Sequence, residues 1–166
     1  MTASDESFVR ISLRHATPRD ARFVWEVNND ASVRAQSIST EPIPWDHHVL
    51  WFSRKLADPG SVFFIATLGG AVVGLARFDI LGDEATISVA VERASRGKGY
   101  GPQIIAAASH ELLIARPVTR LVALIRPGNV PSLRAFTRAG YVAAGSGMQR
   151  GVMVERFERH HADGRR

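Results

Sequence analysis

A glycine-rich segment between a strand-like run and a helix-like run constrains this chain more than any other feature. The segment, Arg96-Gly97-Lys98-Gly99-Tyr100-Gly101, follows an apolar run over residues 85–91 and precedes another over 104–108. This order predicts a strand that leads through a tight loop into the N-terminus of a helix. Backbone N–H groups, the positive helix end and two cationic side chains then converge on one point. The sequence therefore predicts a phosphate-binding site at this loop.

Two common phosphate-binding motifs do not fit the loop. The Walker motif requires Ser or Thr after Gly-Lys, whereas Lys98 is followed by Gly99, so the Mg²⁺-binding hydroxyl is missing. The Rossmann fingerprint requires a third glycine, which would fall on Pro102 or on Ile104 depending on the starting glycine. An ordinary strand-to-helix turn, in which the glycines only supply positive φ angles, stays open as the alternative.

The remaining pattern is Arg96-x-x-Gly99-x-Gly101 after a strand. It resembles the acetyl-CoA pyrophosphate loop of the GNAT family of N-acetyltransferases, where Arg or Gln is followed by two residues, Gly, one residue, and Gly or Ala. The resemblance implies that the loop binds the pyrophosphate of acetyl-CoA through its N–H groups.

A second stretch strengthens the resemblance. After the apolar run over 121–125 come Asn129, Ser132 and Phe136, and then Gly140-Tyr141. The family usually carries Asn-x-x-Ala or Ser, a helix with an aromatic residue near its end, and a Gly-Phe-like close before the next strand. The two motifs and the elements around them cover most of the chain.

Length and composition fit one ordinary domain over residues 1–166. The chain has 166 residues and is 45% hydrophobic, enough for a sizeable core. We expect residues 1–7 and 159–166 to be flexible. The absence of cysteine excludes disulfides, a thiolate nucleophile and a Cys-based zinc site.

The sequence predicts no membrane or nucleic-acid partner. The N-terminus is polar and acidic, unlike a secretory leader, and no run approaches the roughly 20 apolar residues of a membrane span. The net charge of +5 arises partly from a basic C-terminal end, and no basic face is interleaved with aromatic residues. We therefore expect a cytoplasmic protein, either a monomer or a homodimer, whose partner is a small molecule.

Periodicity and turn residues predict the order β-α-α-β-β-β-α-β-α-β-β. Thr17 caps the first helix and Asp46 caps a later one, while Gly69-Gly70 marks a hairpin. The predicted strands cover residues 8–13, 62–67, 71–78, 85–91, 121–125, 141–143 and 152–157. The predicted helices cover 17–30, a short piece within 31–44, 46–58, 101–115 and 129–139.

The family resemblance implies the arrangement of these elements. It implies an α/β fold with a mixed, mostly antiparallel central sheet of six to seven strands, flanked by about four helices. The fourth and fifth strands are expected to splay apart and admit the pantetheine arm of the co-substrate.

The resemblance also implies which residues bind acetyl-CoA as co-substrate, with no metal. The backbone of Val89 and Val91 would bond the acetyl carbonyl and pantetheine, and Asn129 would bond the pantetheine from the other side. The loop residues that would cradle the pyrophosphate are Arg96, Gly97, Lys98, Gly99, Tyr100 and Gly101. Ser132, one turn after Asn129 on the same helix face, and Phe136 complete the co-substrate contacts that the resemblance implies.

Protonation of the leaving thiolate is where the chain departs from the family pattern. Many relatives carry a tyrosine at the position of Phe136, which has no proton to give. Because a thiol has a reference pKa of about 8.5, water or Ser132 could serve instead. Tyr100 and Tyr141 are further candidates, although Tyr141 matches the core aromatic of the family.

Three residues are candidates for binding or deprotonating the acceptor amine. Glu84 precedes the fourth strand and Asp79 ends the third, where either carboxylate could equally be a solvated turn residue. His48 near the start of a helix has a suitable reference pKa for a base, but a surface histidine beside a cap is an equally open reading. We predict Glu84 and His48 as catalytic together with Ser132, and Asp79 as substrate-binding.

The segment from residue 25 to residue 52 carries the only indication of the acceptor. It resembles the amino-sugar nucleotide N-acetyltransferases of the pseudaminic acid pathway, although Asn28 stands where Arg is common. This resemblance implies that aromatic rings stack on sugar and base, that Arg34 meets a phosphate and that His48 contacts the sugar. The implied aromatic contacts are Trp25, Trp45 and Trp51. Core and interface packing is the alternative role for these rings.

Taken together, the sequence predicts an acetyl-CoA-dependent N-acetyltransferase that acts on a primary amine of a small molecule, such as a nucleotide-linked amino sugar. Direct transfer is expected because no cysteine can carry the acetyl group. Peptide α-amine acetylation of the ribosomal-protein type is the alternative within the class. A non-catalytic acetyl-CoA sensor is the alternative outside it.

Overall fold

A mixed seven-stranded sheet organises the chain in the computed structural model, which describes residues 10–161. The strand order is β1-β2-β3-β4-β5-β7-β6. The strands are β1 (Ser12–His15), β2 (Ser61–Leu68), β3 (Ala71–Leu81), β4 (Glu84–Val91), β5 (Arg120–Ile125), β6 (Val142–Gln149) and β7 (Val152–His160). The helices are α1 (Ala21–Asn29), α2 (Ala31–Gln36), α3 (Trp45–Ala57), α4 (Tyr100–Ala115) and α5 (Val130–Arg138), with short 3₁₀ turns at Pro18–Asp20 and Arg93–Ser95.

The sheet parts between β4 and β5, the only parallel neighbours among the strands of residues 10–161. All the other adjacent strands are antiparallel. The β4–β5 pairing comprises only three residue pairs, from Glu84 opposite Arg120 to Thr86 opposite Val122. Beyond Thr86 the two strands have no mutual pairing. The predicted mixed sheet with splayed fourth and fifth strands is confirmed.

Each face of the sheet carries its own hydrophobic core. On one face, α4 and α5 cover a cluster that includes Phe64, Phe78, Ile104 and Leu121. On the other face, α1 and α3 cover a smaller cluster built around Phe63, Ile65 and Leu75, with Val24 and Phe52 from the helices. Strand alternation explains the division, since Phe63 and Phe64 are adjacent in β2 and point to opposite faces. None of the described helices is both long and apolar enough to span a bilayer.

Several element boundaries differ from those predicted. The first strand pairs with β2 over Ser12–His15 rather than 8–13, of which residues 8 and 9 lie outside the described part. The helix α3 begins at Trp45 after Pro44, so Asp46 lies in its first turn instead of capping it. The strand β6 runs to Gln149, well beyond residue 143, because pairing with β7 overrides the low strand propensity of its glycines and serine.

The C-terminal end is more ordered than predicted over its first residues. The strand β7 continues to His160, opposite Arg120 of β5, so residues 159 and 160 belong to the sheet. The backbone N–H of His161 donates to the carbonyl of Thr119 at 3.0 Å. The expectations for residues 1–7 and for 162–166 lie outside the described residues.

Gly74 sets the distance between the sheet and α4. A Cβ atom added at Gly74 would lie 2.7 Å from the carbonyl oxygen of Ala90 in β4 and 2.9 Å from Cδ1 of Ile104 in α4. Both separations are shorter than a van der Waals contact, so a side chain at this position would push β4 and α4 apart. The close approach therefore depends on the absence of a side chain at Gly74.

We expect Gly74→Ala to lower the free energy of unfolding by about 1–3 kcal/mol, the usual effect of overpacking. Gly128→Ala is the matched control, because a Cβ at Gly128 meets nothing within 4 Å. Urea denaturation of the three proteins measures the difference. Equal stability of the two variants would contradict the packing argument.

Candidate active site

The edge of β4 beyond Thr86 presents backbone groups to the cleft left by β5. The N–H of Glu92 donates to the carbonyl of Val73 at 2.8 Å, so the backbone groups of Glu92 point towards β3. Because successive residues in a strand direct these groups to opposite edges, those of Val89 and Val91 point into the cleft. The carbonyl of Val91 accepts a hydrogen bond from Nε of Arg96 at 3.0 Å. The other cleft-facing groups of these two valines have no partner within residues 10–161.

The glycine-rich loop closes the cleft at the end of β4. Gly97 and Gly99 have φ angles of 72° and 79°, in the left-handed region that favours glycine. The N–H groups of Gly97, Lys98 and Gly99 make no hydrogen bond within the described part of the chain. The first-turn N–H groups of α4, which begins at Tyr100, point in the same direction by helix geometry. The loop therefore forms a cradle of free donors at a positive helix end.

Arg96 braces this loop against the opposite helices instead of facing the cradle. Its Nη1 contacts Oδ1 of Asp30 at 3.1 Å and Oγ of Ser32 at 2.8 Å. Asp30 also accepts from the backbone N–H of Ser32 at 3.0 Å as the N-cap of α2. The hydroxyl of Ser32 and the Arg96 guanidinium lower the pKa of Asp30 to about 2. Lys98 is the loop cation that remains exposed.

The start of α5 supplies the other wall of the cleft. The carboxamide oxygen of Asn129 caps α5 by accepting from the N–H of Ser132 at 3.3 Å. The Asn129 NH₂ group and the Ser132 hydroxyl have no partner within residues 10–161. A Cβ built on Gly101 would lie 3.8 Å from Cβ of Ala135 and 3.9 Å from Cγ2 of Val91. The loop, the end of β4 and α5 therefore meet at Gly101.

Phe136 and Tyr141 belong to the core beneath this wall. Their rings pack edge to face with centroids 5.1 Å apart, and both are buried. The hydroxyl of Tyr141 pairs with Oγ of Ser109 at 2.8 Å, and burial raises its pKa to about 12. Tyr141 is thus a structural residue, as its position in the motif implied. Phe136 contributes packing and no proton.

Glu84 lies at the closed end of the cleft and is bound by two arginines. Its Oε2 is 2.9 Å from a guanidinium nitrogen of Arg120 and 2.9 Å from one of Arg156. At about 3.3 Å per residue, Glu84 is roughly 16 Å along β4 from Val89. A general base needs a free lone pair near the amine, so this position argues against Glu84 as the base.

His48 is a buried packing residue and not an accessible base. It is 1% exposed, and its ring stacks on Phe52 with centroids 5.7 Å apart. Its Nε2 lies 2.7 Å from the carbonyl oxygen of Ala21, which can only accept, so this nitrogen carries the proton. Burial lowers the pKa of His48. His48 therefore links α3 to α1. The catalytic and sugar-contacting roles predicted for it do not fit its burial.

Arg34 and Trp25, which were predicted to contact a nucleotide, form hydrogen bonds within the protein instead. Nε of Arg34 donates to the carbonyl of Asn28 at 2.6 Å, and its other nitrogens bond backbone or hydroxyl oxygens between residues 37 and 41. Nε1 of Trp25 donates to the carbonyl of Ile43 at 2.8 Å. These side chains hold the segment between α2 and α3 in place. Trp45 packs edge to face on Trp25 and remains 40% exposed.

A polar cluster that the sequence pattern did not reveal lies beside the cleft on the α3 side. Arg77 of β3 stands opposite Ser88 of β4, and its Nη2 donates to Oγ of Ser88 at 3.2 Å. The guanidinium carbon lies 5.0 Å from the ring centroid of Trp51. Asp79, a predicted substrate contact, pairs with Lys55 at 2.6 Å and with Arg77 at 3.2 Å. The sequence signal that could have revealed this cluster is a charged residue, Arg77, at a core-facing position of a mostly apolar strand.

The described residues contain no group of three or more His, Asp or Glu side chains that could hold a metal ion.

A sequence model of the acetyltransferase (GNAT) domain family matches residues 10–142. This range contains the cleft, the glycine-rich loop and both motifs. No curated protein matches the chain closely enough in sequence to count as a relative.

Solved structures of acetyltransferases share the fold. The aminoglycoside acetyltransferase AAC(6')-Ib in complex with ribostamycin and coenzyme A superposes with a TM-score of 0.81 at 18% identity, covering 91% of this chain and 93% of that one. Spermidine N-acetyltransferase from Vibrio cholerae, with CoA and spermine, gives 0.79 at 17% identity over 91% and 95%. A ribosomal α-N-protein acetyltransferase with coenzyme A gives 0.78 at 14% over 91% and 94%.

The buried His48 predicts a pH dependence of stability. Because its folded-state pKa lies below the unfolded value of about 6.5, the stabilisation from the neutral ring is present above that value and is lost as the pH falls. We expect His48→Gln to be less stable at pH 7 but to lose less stability between pH 7 and pH 5. The difference is limited to about 1.4 kcal/mol per pH unit.

Urea unfolding across this pH range measures the effect, with His47→Gln at the exposed neighbouring position as the control. If His47→Gln and His48→Gln changed the pH dependence equally, His48 would not be the responsible group.

Proposed function

The chain belongs to the GNAT acetyltransferase family and is therefore an N-acetyltransferase that uses acetyl-CoA, and we propose that it acetylates a primary amine of a small molecule by direct transfer. The leading acceptor is an amino group on a nucleotide-linked amino sugar. The single observation that carries direct transfer is the parting of β4 from β5 after Thr86. A gap between these strands would let two substrates meet from opposite faces of the sheet.

The free backbone donors fit acetyl-CoA. Acetyl-CoA supplies a thioester, whose carbonyl is open to attack by an amine. The cleft-facing backbone groups of Val89 and Val91 would bond the acetyl carbonyl and the pantetheine amides, with Asn129 and Ser132 opposite them. The N–H groups of residues 97–101 and the Lys98 side chain would bind the pyrophosphate. Phe136 supports this wall from below, and Arg96 holds the loop in shape.

The reaction needs little acid or base help from the protein. The amine nitrogen bonds to the acetyl carbon, the carbon–sulfur bond breaks, and the ammonium proton must leave before attack. Because Glu84 is held by two arginines and His48 is buried, we assign this proton to water at the mouth of the cleft. After attack the nitrogen loses a second proton and the thiolate gains one, so this proton passes from nitrogen to sulfur through water or through the unpartnered Ser132 hydroxyl acting as a relay.

The proposed acceptor is supported by the aromatic residues on the α1 and α3 side. Trp45 is exposed and Trp51 is half-buried, so both have ring surface available for stacking. Since each guanidinium nitrogen of Arg34 already contacts a backbone or hydroxyl oxygen, we assign a phosphate of the acceptor to a different cation. Peptide α-amines are the alternative acceptor, and the exposed mouth of the cleft does not exclude them.

Thiol release from acetyl-CoA, screened against amino-sugar nucleotides, peptides and polyamines, tests the proposal. We expect turnover with an amino-sugar nucleotide to exceed that with any peptide by at least about tenfold in kcat/KM. If only peptides were acetylated, the proposed amino-sugar acceptor would be wrong. If no amine led to thiol release, direct transfer itself would be wrong.

The loop geometry predicts the effect of Gly99→Ala. A side chain at a φ of 79° costs about 1–2 kcal/mol, and relief of this strain would distort the cradle. We expect the KM for acetyl-CoA to rise about tenfold with a smaller change in kcat, measured by thiol release. Gly82→Ala is the matched control, because Gly82 has a φ of 63° and open space around it but lies in the β3–β4 turn. A similar rise in KM for Gly82→Ala would refute the local effect.

Glu84→Gln tests the assignment of the base. We expect it to lower the free energy of unfolding by about 1–2 kcal/mol, because two arginines lose a partner, while kcat changes less than threefold. Arg156→Gln should destabilise similarly, and the double variant should lose less than the sum, since the two side chains pair. A tenfold or larger fall in kcat for Glu84→Gln alone, at saturating substrate, would restore Glu84 as the base.

A further inference from the structure

We propose that the acceptor amine carries an anionic group, a carboxylate or a phosphate, and that Arg77 binds it and thereby selects the substrate. The inference rests on the proposed acetyl transfer and names the chemical class of its acceptor. It makes Arg77 a specificity-determining residue on the face of the sheet opposite α4 and α5.

Arg77 lies next to the place where the two substrates would meet. Its strand partner Ser88 precedes Val89, whose backbone faces the cleft, and Ser88 is exposed. Along β4, Ser88 is about 10 Å from Val91, so an acceptor can span from the acetyl carbon to the guanidinium. The Trp51 ring under the guanidinium, 5.0 Å away, fixes its plane. Arg77 is thus aimed and held before any ligand arrives.

The donors of Arg77 are not exhausted by its neighbours. Nη2 contacts Ser88 and Asp79, each at 3.2 Å. Nε is buried without a hydrogen-bond partner, and Nη1 has none within residues 10–161. Burial lowers the pKa of Arg77, which reflects a guanidinium stripped of much of its water. An anion that accepts from Nη1, the unpartnered nitrogen that is not sealed from solvent, would compensate part of this lost hydration.

The charges around Arg77 leave one positive charge uncompensated. Lys55 and Arg77 share the single carboxylate of Asp79. Further along the same face, Arg120 and Arg156 are matched by two carboxylates, those of Glu84 and Glu158. The surplus cation therefore lies at the Arg77 end, beside the cleft, and favours an acceptor with a negative group there. A polycationic acceptor would find every carboxylate of these two clusters already paired.

Matched pairs of amines test the inference on the wild-type enzyme. Glucosamine 1-phosphate against glucosamine tests a phosphate, and 6-aminohexanoate against 6-aminohexanamide tests a carboxylate. We expect the anionic member of at least one pair to have a kcat/KM at least tenfold higher, and spermidine to be poorer than either. Equal or lower kcat/KM for both anionic members would overturn the inference, even with an active enzyme.

Variants then locate the effect at Arg77. We expect Arg77→Gln to raise the KM for the preferred anionic amine at least tenfold, leaving its neutral partner and acetyl-CoA within twofold. Arg77→Lys should recover part of the loss. Arg22→Gln, on the exposed surface of α1, is the control, and thermal unfolding checks that each variant is folded. An equal rise in KM for the anionic and neutral amines would overturn the role of Arg77.

Binding separates this inference from the proposed function. If no amine released thiol, direct transfer would fail, and calorimetric titration of glucosamine 1-phosphate and glucosamine into the protein with CoA present would still decide the inference. Tighter binding of the phosphate, lost in Arg77→Gln, supports it; equal binding overturns it. If 6-aminohexanoate were acetylated but no nucleotide-linked amino sugar were, the inference would stand and the proposed acceptor would fall.

Discussion

The cleft exists because β4 and β5 stop pairing after three residues. An interrupted sheet leaves backbone donors and acceptors without partners, and such groups are costly unless water or a ligand satisfies them. Here the free groups of Val89 and Val91 lie at the end of a strand that leads, through the 3₁₀ turn Arg93–Ser95, into the glycine-rich loop. In the proposed function, the same interruption makes room for the thioester and supplies the amide groups that would bind it. The rest of the molecule holds the gap open.

Arginines hold much of the structure around this gap. Arg96 joins the loop to Asp30 and Ser32, and Arg34 holds the carbonyls between α2 and α3. Arg126, just after β5, donates to the carbonyls of Ser37 and Ile38. A guanidinium with five donors suits the spanning of several oxygen acceptors, and these three residues use it in that way.

Much of the fold could be predicted from local patterns, whereas the acceptor side could not. The β2–β3 hairpin and the loop depend on glycines and periodicity within a few residues, and these features were predicted correctly. The environments of Glu84 and His48 depend on partners 72 and 27 residues away, Arg156 and Ala21. Their residue types suggested chemistry, but the tertiary structure pairs Glu84 with two arginines and buries His48. The role proposed for Arg77 was not predicted from the sequence for the same reason, because it depends on the strand register that places Arg77 opposite Ser88.

Arg96 couples the glycine-rich loop to the N-terminus of α2. Asp30 caps α2 and at the same time receives the arginine that supports the loop, so neither element keeps all its contacts if the other opens. The loop at the end of β4 and the short helix α2, 64 residues apart between Ser32 and Arg96, therefore form one local unfolding unit. If this six-residue helix frayed, the glycine-rich loop would lose the contacts that Arg96 makes with it, without any movement of the sheet.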